Sequence, residues 1–270
     1  MTVANQAELA ALLAQITRER GMDCGAYKQS CLRRRLAVRM RARGVHTYGD
    51  YARVLATDRA EYDRLVDALT INVTKFYRNR ETWDALAARY LPELWEARGG
   101  AVRCWSAGCA TGEEPFTLAI LLLEAARGLR RSLPEGARVD ATDLDPGALA
   151  QAQAGRYRAA AFDELPADLA HRYFAPGEPR AVLDEVRARV RFHRHDLLRE
   201  PPPAAPYDLI LCRNVVIYFD RSTQERLFTG FAEALAPGGV LVLGKVETLF
   251  GPARARFRLD DARERVYRLT

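Results

Sequence analysis

The sequence predicts an α/β fold, in which helices cover a mostly parallel sheet, with an all-α domain in front of it. Two observations support this fold class. After residue 101, short apolar runs alternate with helical patterns, and this alternation is typical of a parallel sheet with helices on both faces. Before residue 72, the sequence contains helical patterns and no convincing strand. We therefore divide the 270 residues into a helical domain (1–71), a linker (72–82) and a sheet domain (83–270).

The composition indicates an ordinary water-soluble protein. Hydrophobic residues make up 49% of the chain and charged residues 28%, and no apolar run is long enough to cross a bilayer. The N-terminal segment lacks the basic start and apolar block of a signal peptide. The five cysteines have no Cys-x-x-Cys spacing and indicate reduced thiols, so we expect a cytoplasmic location. The formal net charge of +6 favours an acidic partner.

Four helical patterns make up the predicted helical domain. In three of them, apolar residues recur at the i, i+3, i+4, i+7 spacing of a half-buried helix. These residues are Leu9, Leu12, Leu13 and Ile16, then Tyr48, Tyr51, Ala52 and Leu55, then Tyr62, Leu65, Val66 and Leu69. The remaining helix has a narrower stripe of Leu32, Leu36 and Met40 among arginines. We expect these stripes to form the core of a small bundle.

The arginine-rich helix is also a candidate partner surface. Nine lysines and arginines stand between Arg18 and Arg43, against two acids. On a helix, Arg35, Arg39 and Arg43 share one face beside the apolar stripe. Such a charge run is often only a solvated face. Its density leads us to favour a surface that binds an acidic partner.

The loop at 105–115, Trp-Ser-Ala-Gly-Cys-Ala-Thr-Gly-Glu-Glu-Pro, connects a short apolar strand to an apolar helix. Gly108 and Gly112 lack Cβ atoms, so backbone N–H groups of the loop can approach a ligand at the helix N-terminus. The loop does not have the Gly-x-Gly-x-x-Gly pattern of dinucleotide-binding folds. By itself it is equally compatible with an ordinary strand-to-helix turn.

A second acidic landmark follows the next strand. Asp143 stands at the end of a predicted strand at 138–143, and Asp145 with Pro146 is typical of a helix start. In doubly wound folds, an acid in this place accepts hydrogen bonds from ribose hydroxyls. Together with the first loop, Asp143 favours adenosine without a pyrophosphate. The two features therefore indicate S-adenosylmethionine as a cofactor.

The rest of the sheet domain continues the alternation. We predict helices at 114–128 and 146–154, strands at 102–106, 190–195, 207–214 and 240–244, and a closing hairpin formed by 257–259 and 266–269. The stretch 155–189 is less regular.

Four motifs, in order along nearly the whole chain, resemble the chemotaxis receptor methyltransferases of the CheR family. They are Thr74-x-Phe76-Tyr77-Arg78, Cys109-Ala110-Thr111-Gly112-Glu113-Glu114-Pro115, Ala141-Thr142-Asp143-Leu144-Asp145 and Cys212-Arg213-Asn214-Val215-Val216-Ile217-Tyr218-Phe219. There are two departures. Tyr77 stands where the family has a second phenylalanine, and Gly244-Lys245-Val246-Glu247 stands where it often has Gly-His-Ser-Glu. Jointly, the four motifs are specific.

The resemblance implies transfer of a methyl group from S-adenosylmethionine to glutamate side chains on the cytoplasmic helices of chemotaxis receptors, with S-adenosylhomocysteine as the second product. The chemistry is consistent with this, because a glutamate of pKa about 4.3 is already a charged nucleophile at neutral pH. No general base, metal or covalent intermediate is needed. The protein has to supply in-line approach and to remove water from the carboxylate.

The predicted site residues follow from the loops and from the resemblance. Gly108, Gly112 and Glu114 are expected at the amino-acid end of the cofactor, with Glu113 as the alternative to Glu114, and Asp143 is expected at the ribose. The resemblance adds the cofactor contacts Asn72, Thr74, Arg78, Arg213 and Asn214, with Asp196 and Leu197 at the adenine. Arg78 and Tyr218 are the catalytic candidates, Tyr218 at the site mouth and Arg78 orienting either the cofactor or the incoming carboxylate. Arg35, Arg39 and Arg43 are the candidates for receptor binding.

Other interpretations lead to other functions. One alternative is a regulator without activity, in which a degenerate site binds S-adenosylmethionine only as a signal. Another is a methyltransferase that acts on another acidic protein or, with the arginine helix bound to phosphates, on nucleic acid. Nucleic acid is disfavoured because Val215 follows Asn214, where amino-group methyltransferases have Pro-Pro-Tyr or a similar sequence. His193 and His195 share a strand face, but no third ligand has suitable spacing, so we expect no metal.

The receptor is the expected macromolecular partner of a monomer that does not insert into the membrane. In the family, a small antiparallel subdomain is inserted at a place that corresponds to about 155–189. Some members use it to bind a C-terminal tether peptide of the receptor. Here the segment 173–180, Tyr-Phe-Ala-Pro-Gly-Glu-Pro-Arg, is short and proline-rich. We therefore do not expect tight binding of such a peptide.

Overall fold

The computed structural model describes residues 3–70 and 72–270. These residues form two compact units. One comprises the residues before Asn72 together with Tyr218–Thr223, and the other comprises Asn72–Ile217 and Gln224–Thr270. In the described residues, no helix combines the length and the apolar character that crossing a membrane requires.

The smaller unit is helical, as predicted. Its helices are α1 (Val3–Arg20), α2 (Gln29–Ala42), α3 (Tyr48–Thr57) and α4 (Arg59–Thr70). The predicted apolar stripes supply its core, with Leu12, Ile16, Leu32, Leu36, Tyr51, Leu55 and Leu65 all buried. The Thr47 hydroxyl begins α3 by accepting the N–H of Asp50 at 3.0 Å, which satisfies a backbone donor that the helix leaves unpaired.

The larger unit contains ten strands. They are β1 (Arg103–Ala107), β2 (Arg138–Asp143), β3 (Arg156–Tyr157), β4 (Phe174–Ala175), β5 (Arg180–Val182), β6 (Val190–Arg194), β7 (Tyr207–Cys212), β8 (Leu235–Leu243), β9 (Phe257–Asp261) and β10 (Val266–Leu269). Seven of them form one sheet in the order β6-β2-β1-β7-β8-β10-β9. The first five strands of that order pair in parallel, and β10 is antiparallel to both β8 and β9. The predicted parallel sheet and its closing hairpin are confirmed.

The helices of the larger unit are α5 (Arg80–Ala85), α6 (Leu91–Arg98), α7 (Glu113–Gly128), α8 (Pro146–Ala154), α9 (Ala167–Tyr173), α10 (Asp184–Arg187) and α11 (Arg221–Ala234), whose first three residues belong to the smaller unit. Of these, α7 packs on β1, β2 and β6, and α8 packs on β2 and β6. The bounds of α8 are those predicted, because local chemistry fixes both ends. The Asp145 carboxylate accepts the N–H groups of Gly147 and Ala148 at 2.8 and 3.2 Å, and Gly155 ends the helix at a left-handed φ of 61°.

Strand β8 is longer than predicted. It begins at Leu235 rather than at residue 240, and its pairing with β7 is irregular. Tyr207 pairs with Leu235 and Leu209 pairs with Val240, so the extra residues of β8 bulge out between these two pairs. The bulge contains Pro237-Gly238-Gly239, residue types that favour a departure from regular strand pairing.

The irregular stretch 155–189 holds a small second sheet in the antiparallel order β3-β5-β4. An aromatic cluster fastens the linker to it. The Phe76 ring lies 4.8 Å from that of Tyr157 and 4.9 Å from that of Phe174, between ring centroids, both edge to face. The Phe76 N–H also donates to the Ala161 carbonyl at 2.9 Å. The linker that carries Arg78 is therefore anchored to the small sheet.

Candidate functional site

Three loops meet at the carboxyl edge of the parallel sheet. Because β1 lies between β2 and β7, the segments that follow these strands come together at one edge. They carry Gly108–Gly112, Asp143–Asp145 and Arg213–Asn214, which include five of the eleven predicted cofactor contacts. The large sheet therefore brings together residues, such as Gly108 and Asn214, that are more than a hundred positions apart in the chain.

The two predicted glycines are required by the packing of their own loop. Both have a left-handed backbone, with φ of 81° at Gly108 and 95° at Gly112. A Cβ at Gly108 would lie 2.5 Å from Val215 Cγ2, and one at Gly112 would lie 2.8 Å from the Tyr157 hydroxyl. The N–H of Gly108 donates to the Thr142 carbonyl at 2.8 Å, and that of Gly112 to the Cys109 carbonyl at 3.1 Å. These two N–H groups are thus used inside the protein, and the contact of both glycines with the cofactor stays a prediction.

The Asp143 carboxylate joins the first loop to the second. Its Oδ2 accepts the N–H of Ala110 at 2.8 Å, and its Oδ1 accepts the N–H of Asp145 at 3.0 Å. Burial raises the pKa of Asp143, and these backbone donors act in the opposite direction. The backbone N–H of Leu144 is a third donor to this carboxylate, which can accept about four hydrogen bonds in all. The capacity that remains is consistent with the predicted contact with the ribose.

Asn72 contacts the same corner of the site. Its Nδ2 donates to Asp145 Oδ2 at 2.6 Å, while the other oxygen of Asp145 caps α8. Thr74 is half-buried in the linker. Beyond β6, Asp196 is buried and its Oδ1 accepts the Leu198 N–H at 2.9 Å, and Leu197 is half-buried. The predicted cofactor contacts of these four residues, Asn72, Thr74, Asp196 and Leu197, are not tested by this geometry and stay predictions.

Glu114 and Arg213 form a buried ion pair. Arg213 Nη1 lies 3.3 Å from Glu114 Oε2, and the Ser106 hydroxyl donates to Glu114 Oε1 at 2.8 Å. Burial raises the pKa of Glu114, and the charge of Arg213 opposes this shift. Burial likewise lowers the pKa of Arg213, and Glu114 opposes it. The carboxylate predicted to pair with the cofactor ammonium therefore already has a cationic partner in the protein.

Arg213 also holds the linker. Its Nη2 donates to the Arg78 carbonyl at 2.7 Å and to Asn79 Oδ1 at 3.1 Å, and its guanidinium carbon lies 5.2 Å from the ring centroid of Trp83. Its Nε is buried and, within the described residues, has no hydrogen-bond acceptor. A buried N–H without an acceptor is uncommon, and a ligand oxygen is one group that satisfies it.

Arg78 is half-buried and has a free charge. Its Nη1 donates to the Val73 carbonyl at 2.9 Å. In the described part of the chain, no carboxylate forms an ion pair with its guanidinium. Its positive charge contributes to lowering the pKa of both Glu114 and Arg213, so it lies within electrostatic reach of that pair. The Arg78 guanidinium is thus available to an incoming anion.

Glu247 is a site residue that the sequence reasoning missed. It is 3% exposed, and its carboxylate accepts backbone N–H groups from the loop after β7 and from Gly244. The sequence did contain a signal. Glu247 is the one acid of the segment Gly244-Lys245-Val246-Glu247, and it matches the last residue of the family's Gly-His-Ser-Glu, in which this chain lacks the histidine and the serine.

Tyr218 and the arginines of α2 belong to the smaller unit. The Arg35 guanidinium carbon lies 5.9 Å from the Tyr218 ring centroid, and the Lys28 N–H donates to the Tyr218 carbonyl at 2.9 Å. Arg35 Nη1 also donates to the Ala68 carbonyl at 2.6 Å. The catalytic role of Tyr218 stays a prediction.

The predicted arginine face of α2 packs on α4 in the bundle. Arg39 donates to both oxygens of the fully buried Glu61, at 3.0 and 2.5 Å, and the Tyr51 hydroxyl donates to the same carboxylate at 2.8 Å. Arg43 Nη2 lies 3.0 Å from Asp58 Oδ2, with 39% of its side chain exposed. Arg39 is 20% exposed. The periodicity correctly identifies a shared face, but that face has partners within its own unit.

His195 is buried beside the Trp105 ring, with its Nε2 2.9 Å from the Pro201 carbonyl oxygen. Among the residues that the structure describes, no group of three or more His, Cys, Asp or Glu is arranged to hold a metal ion.

Family comparisons identify the chain. The family described as "CheR methyltransferase, SAM binding domain" matches residues 72–266, and "CheR methyltransferase, all-alpha domain" matches residues 7–70. The chain belongs to the CheR methyltransferase family. The resemblance carried by the four motifs is thereby confirmed, as is S-adenosylmethionine as the cofactor of the larger unit.

Relatives of this CheR methyltransferase share about a third of its residues. The chemotaxis protein methyltransferase of Listeria monocytogenes is 37% identical over 239 residues, covering 88% of each chain. That of Klebsiella aerogenes is 38% identical over 235 residues, covering 84% of this chain and 78% of the relative. A solved amino pentose methyltransferase from Micromonospora echinaspora is 23% identical with a TM-score of 0.35, covering 65% of this chain and 55% of that one.

Proposed function

We propose that this CheR methyltransferase transfers the methyl group of S-adenosylmethionine to glutamate side chains of chemotaxis receptors in the cytoplasm, forming γ-glutamyl methyl esters and S-adenosylhomocysteine. Relatives that match most of the chain are named chemotaxis protein methyltransferases. The observation that carries the proposal is the free guanidinium of Arg78 beside the buried Glu114–Arg213 pair. It offers a positive charge to a carboxylate substrate at the edge where the predicted cofactor contacts converge.

The residues at this edge suit the cofactor. When bound, S-adenosylmethionine supplies an electrophilic methyl group. Asp143 offers two acceptor oxygens for ribose hydroxyls, and the unpartnered Nε of Arg213 offers a donor to a ligand oxygen. The negative charge of Glu114 neutralises that of Arg213, so Arg78 carries the free positive charge and Arg213 contributes only a hydrogen-bond donor. No residue has to remove a proton, because the glutamate nucleophile is already ionised at neutral pH.

Arg78 orients a carboxylate in this proposal. The cofactor and the substrate both carry one, and a half-buried guanidinium binds either more strongly than an exposed one. The two assignments differ kinetically. If Arg78 holds the cofactor, its removal raises the KM for S-adenosylmethionine; if it holds the substrate, its removal lowers kcat and raises the KM for the receptor.

We further propose that α2 binds the acidic receptor surface. Of the three arginines predicted for this role, Arg39 is bound to Glu61 and Arg35 to the Ala68 carbonyl, so these two act by holding α2 in the bundle. Arg43 keeps a larger exposed fraction, and Arg34 and Arg41 are exposed. Direct contact with the receptor is therefore assigned to the exposed arginines.

The proposed partner is the receptor substrate alone, bound by a monomer, without a tight site for a tether peptide. The connection between β4 and β5 consists of residues 176–179, which is short for a peptide-binding loop. Fluorescence anisotropy with a receptor tail peptide tests this, and micromolar affinity would contradict it.

The decisive test is transfer of a radiolabelled methyl group to membranes that contain a chemotaxis receptor, followed by alkali. A carboxyl ester releases volatile methanol, whereas an N-methyl group is stable. Alkali-labile label on the receptor is the expected result. Cofactor binding without transfer would instead indicate a non-catalytic regulator, and alkali-stable label would indicate another substrate class.

A further inference from the structure

Glu247 is a buried carboxylate placed between two loops of the site. Its Oε2 accepts the N–H of Gly244 at 2.6 Å and the N–H of Asn214 at 2.9 Å. Its Oε1 accepts the N–H of Ile217 at 3.2 Å. One side chain therefore ties the loop after β8 to both ends of the turn that follows β7.

The Glu247 carboxylate is held mainly by backbone N–H groups. In the described part of the chain, no cation lies within ion-pair distance of Glu247, although the charge of Arg213 interacts with it at longer range. Burying a carboxylate on such donors is costly unless their geometry is well fixed. The turn it holds contains Asn214 in the left-handed region, at φ of 60°, which asparagine adopts more readily than most non-glycine residues, and the hydrogen bond from the Asn214 N–H to Glu247 fixes this turn.

Gly244 gives an independent indication. A Cβ at this position would lie 2.7 Å from Glu247 Oε2, 2.9 Å from the Asn214 nitrogen and 3.0 Å from Asn214 Nδ2. These contacts are shorter than side chains tolerate. A side chain at residue 244 would therefore displace either the carboxylate or the Asn214 turn.

We propose that Glu247 is a positioning residue for methyl transfer. By fixing the Asn214 backbone, it places the Asn214 side chain at the cofactor and sets the start of the turn from which Arg213 reaches Glu114 and the linker. Glu247 itself does not touch the cofactor or the reacting carboxylate. The inference rests on the proposed function and on the predicted contact of Asn214 with the cofactor.

Substitutions of the two residues test the proposal by different routes. E247Q keeps the size of the side chain but points an amide NH₂ at one of the backbone donors, because both oxygens accept. G244A keeps the carboxylate and crowds it. Titration calorimetry with S-adenosylhomocysteine is expected to show at least tenfold weaker binding for both variants. E247D, which restores the charge on a shorter side chain, should give an intermediate affinity.

A buried carboxylate at the other end of β7 provides the matched control. Asp208 accepts the Arg103 N–H at 2.9 Å and Arg98 Nε at 2.6 Å, away from the three loops of the site. D208N should lower the melting temperature and leave the affinity of the folded protein for S-adenosylhomocysteine within twofold of the parent. In turnover assays, E247Q should raise the KM for the cofactor without changing that for the receptor.

The outcomes are separable. If the parent binds S-adenosylhomocysteine and folded E247Q and G244A bind it within twofold of the parent, the inference is wrong and the proposed function stands. The inference is also wrong if E247Q and G244A behave like the control D208N, with a lower melting temperature and an unchanged affinity for S-adenosylhomocysteine. If E247Q does not fold, G244A decides alone. A parent protein that does not bind S-adenosylhomocysteine refutes the proposed function, and the inference with it.

Discussion

Replacing Asp143 by alanine should weaken cofactor binding by more than tenfold. The two oxygens of Asp143 are the predicted acceptors for the ribose hydroxyls, and they also accept the backbone N–H groups of Ala110 and Asp145. Alanine removes both acceptors at once. The variant therefore loses the proposed ribose hydrogen bonds and also the contact that joins the loop after β1 to the loop after β2.

The magnitude follows from the hydrogen bonds. A hydrogen bond to a charged acceptor contributes roughly 1.5–3 kcal/mol, so two ribose hydroxyls give roughly 3–6 kcal/mol as an upper range. The net loss is smaller, because Asp143 is only half-buried and water forms hydrogen bonds to its carboxylate in the cofactor-free protein. A loss of about 1.4 kcal/mol already corresponds to tenfold weaker binding. D143N keeps one acceptor oxygen and should fall between alanine and the parent.

Titration calorimetry with S-adenosylhomocysteine measures the effect, and circular dichroism checks the fold. D140N is the matched control, because Asp140 is buried on the same strand and accepts the Tyr207 hydroxyl at 3.1 Å. It should reduce stability without changing the affinity of the folded protein. Parental affinity in a folded D143A variant would refute the assignment of Asp143 to the ribose.

Three further predictions concern Arg78, the exposed arginines and Glu61. At subsaturating S-adenosylmethionine and receptor, R78A should abolish turnover without unfolding the protein. An initial rate within threefold of the parent under these conditions would show that Arg78 is only a linker residue. Alanine at Arg34, Arg41 and Arg43 together should raise the KM for the receptor, flatten its salt dependence and leave cofactor affinity unchanged, because charge steering acts on association. If this variant folds and methylates the receptor at low salt as efficiently as the parent, α2 does not bind the receptor. E61Q should cost roughly 1–3 kcal/mol in urea denaturation at pH 7, because it leaves Arg39 without its charged acceptor. Burial alone would raise the pKa of Glu61, but the hydrogen bonds to it, led by that from Arg39, hold it below the ordinary value. Its stabilising effect is therefore complete above a pH of about 4.3 and is lost as the pH falls through the lower folded pKa, so the deficit of E61Q should shrink in acid. A deficit that is the same at pH 3 and pH 7 would contradict this.

The sequence by itself determined the fold class and the family. Period-2 and period-3.6 patterns depend on neighbours in the chain, so the strand at 138–143 and the helix at 146–154 were predicted with the bounds that the structure has. The start of this helix is also set by neighbours in the chain, because the Asp145 carboxylate accepts the N–H groups of residues two and three positions further on. Motif order along the chain was enough to indicate the CheR methyltransferases and their cofactor.

The tertiary structure decided which group each charged side chain meets. Glu114 was assigned to a cofactor ammonium, and the fold also gives it Arg213 from 99 positions further along the chain. Helical spacing placed Arg35, Arg39 and Arg43 on one face, but whether solvent or α4 covers that face depends on how the helices pack. In the sequence, Glu247 is only the remainder of an altered motif, whereas the fold brings to it the N–H groups of Asn214 and Ile217, 33 and 30 positions earlier in the chain. A sequence pattern fixes which residues share a face or a loop, whereas the partner of a buried charge is set by long-range contacts, because only folding removes the water that would otherwise solvate it.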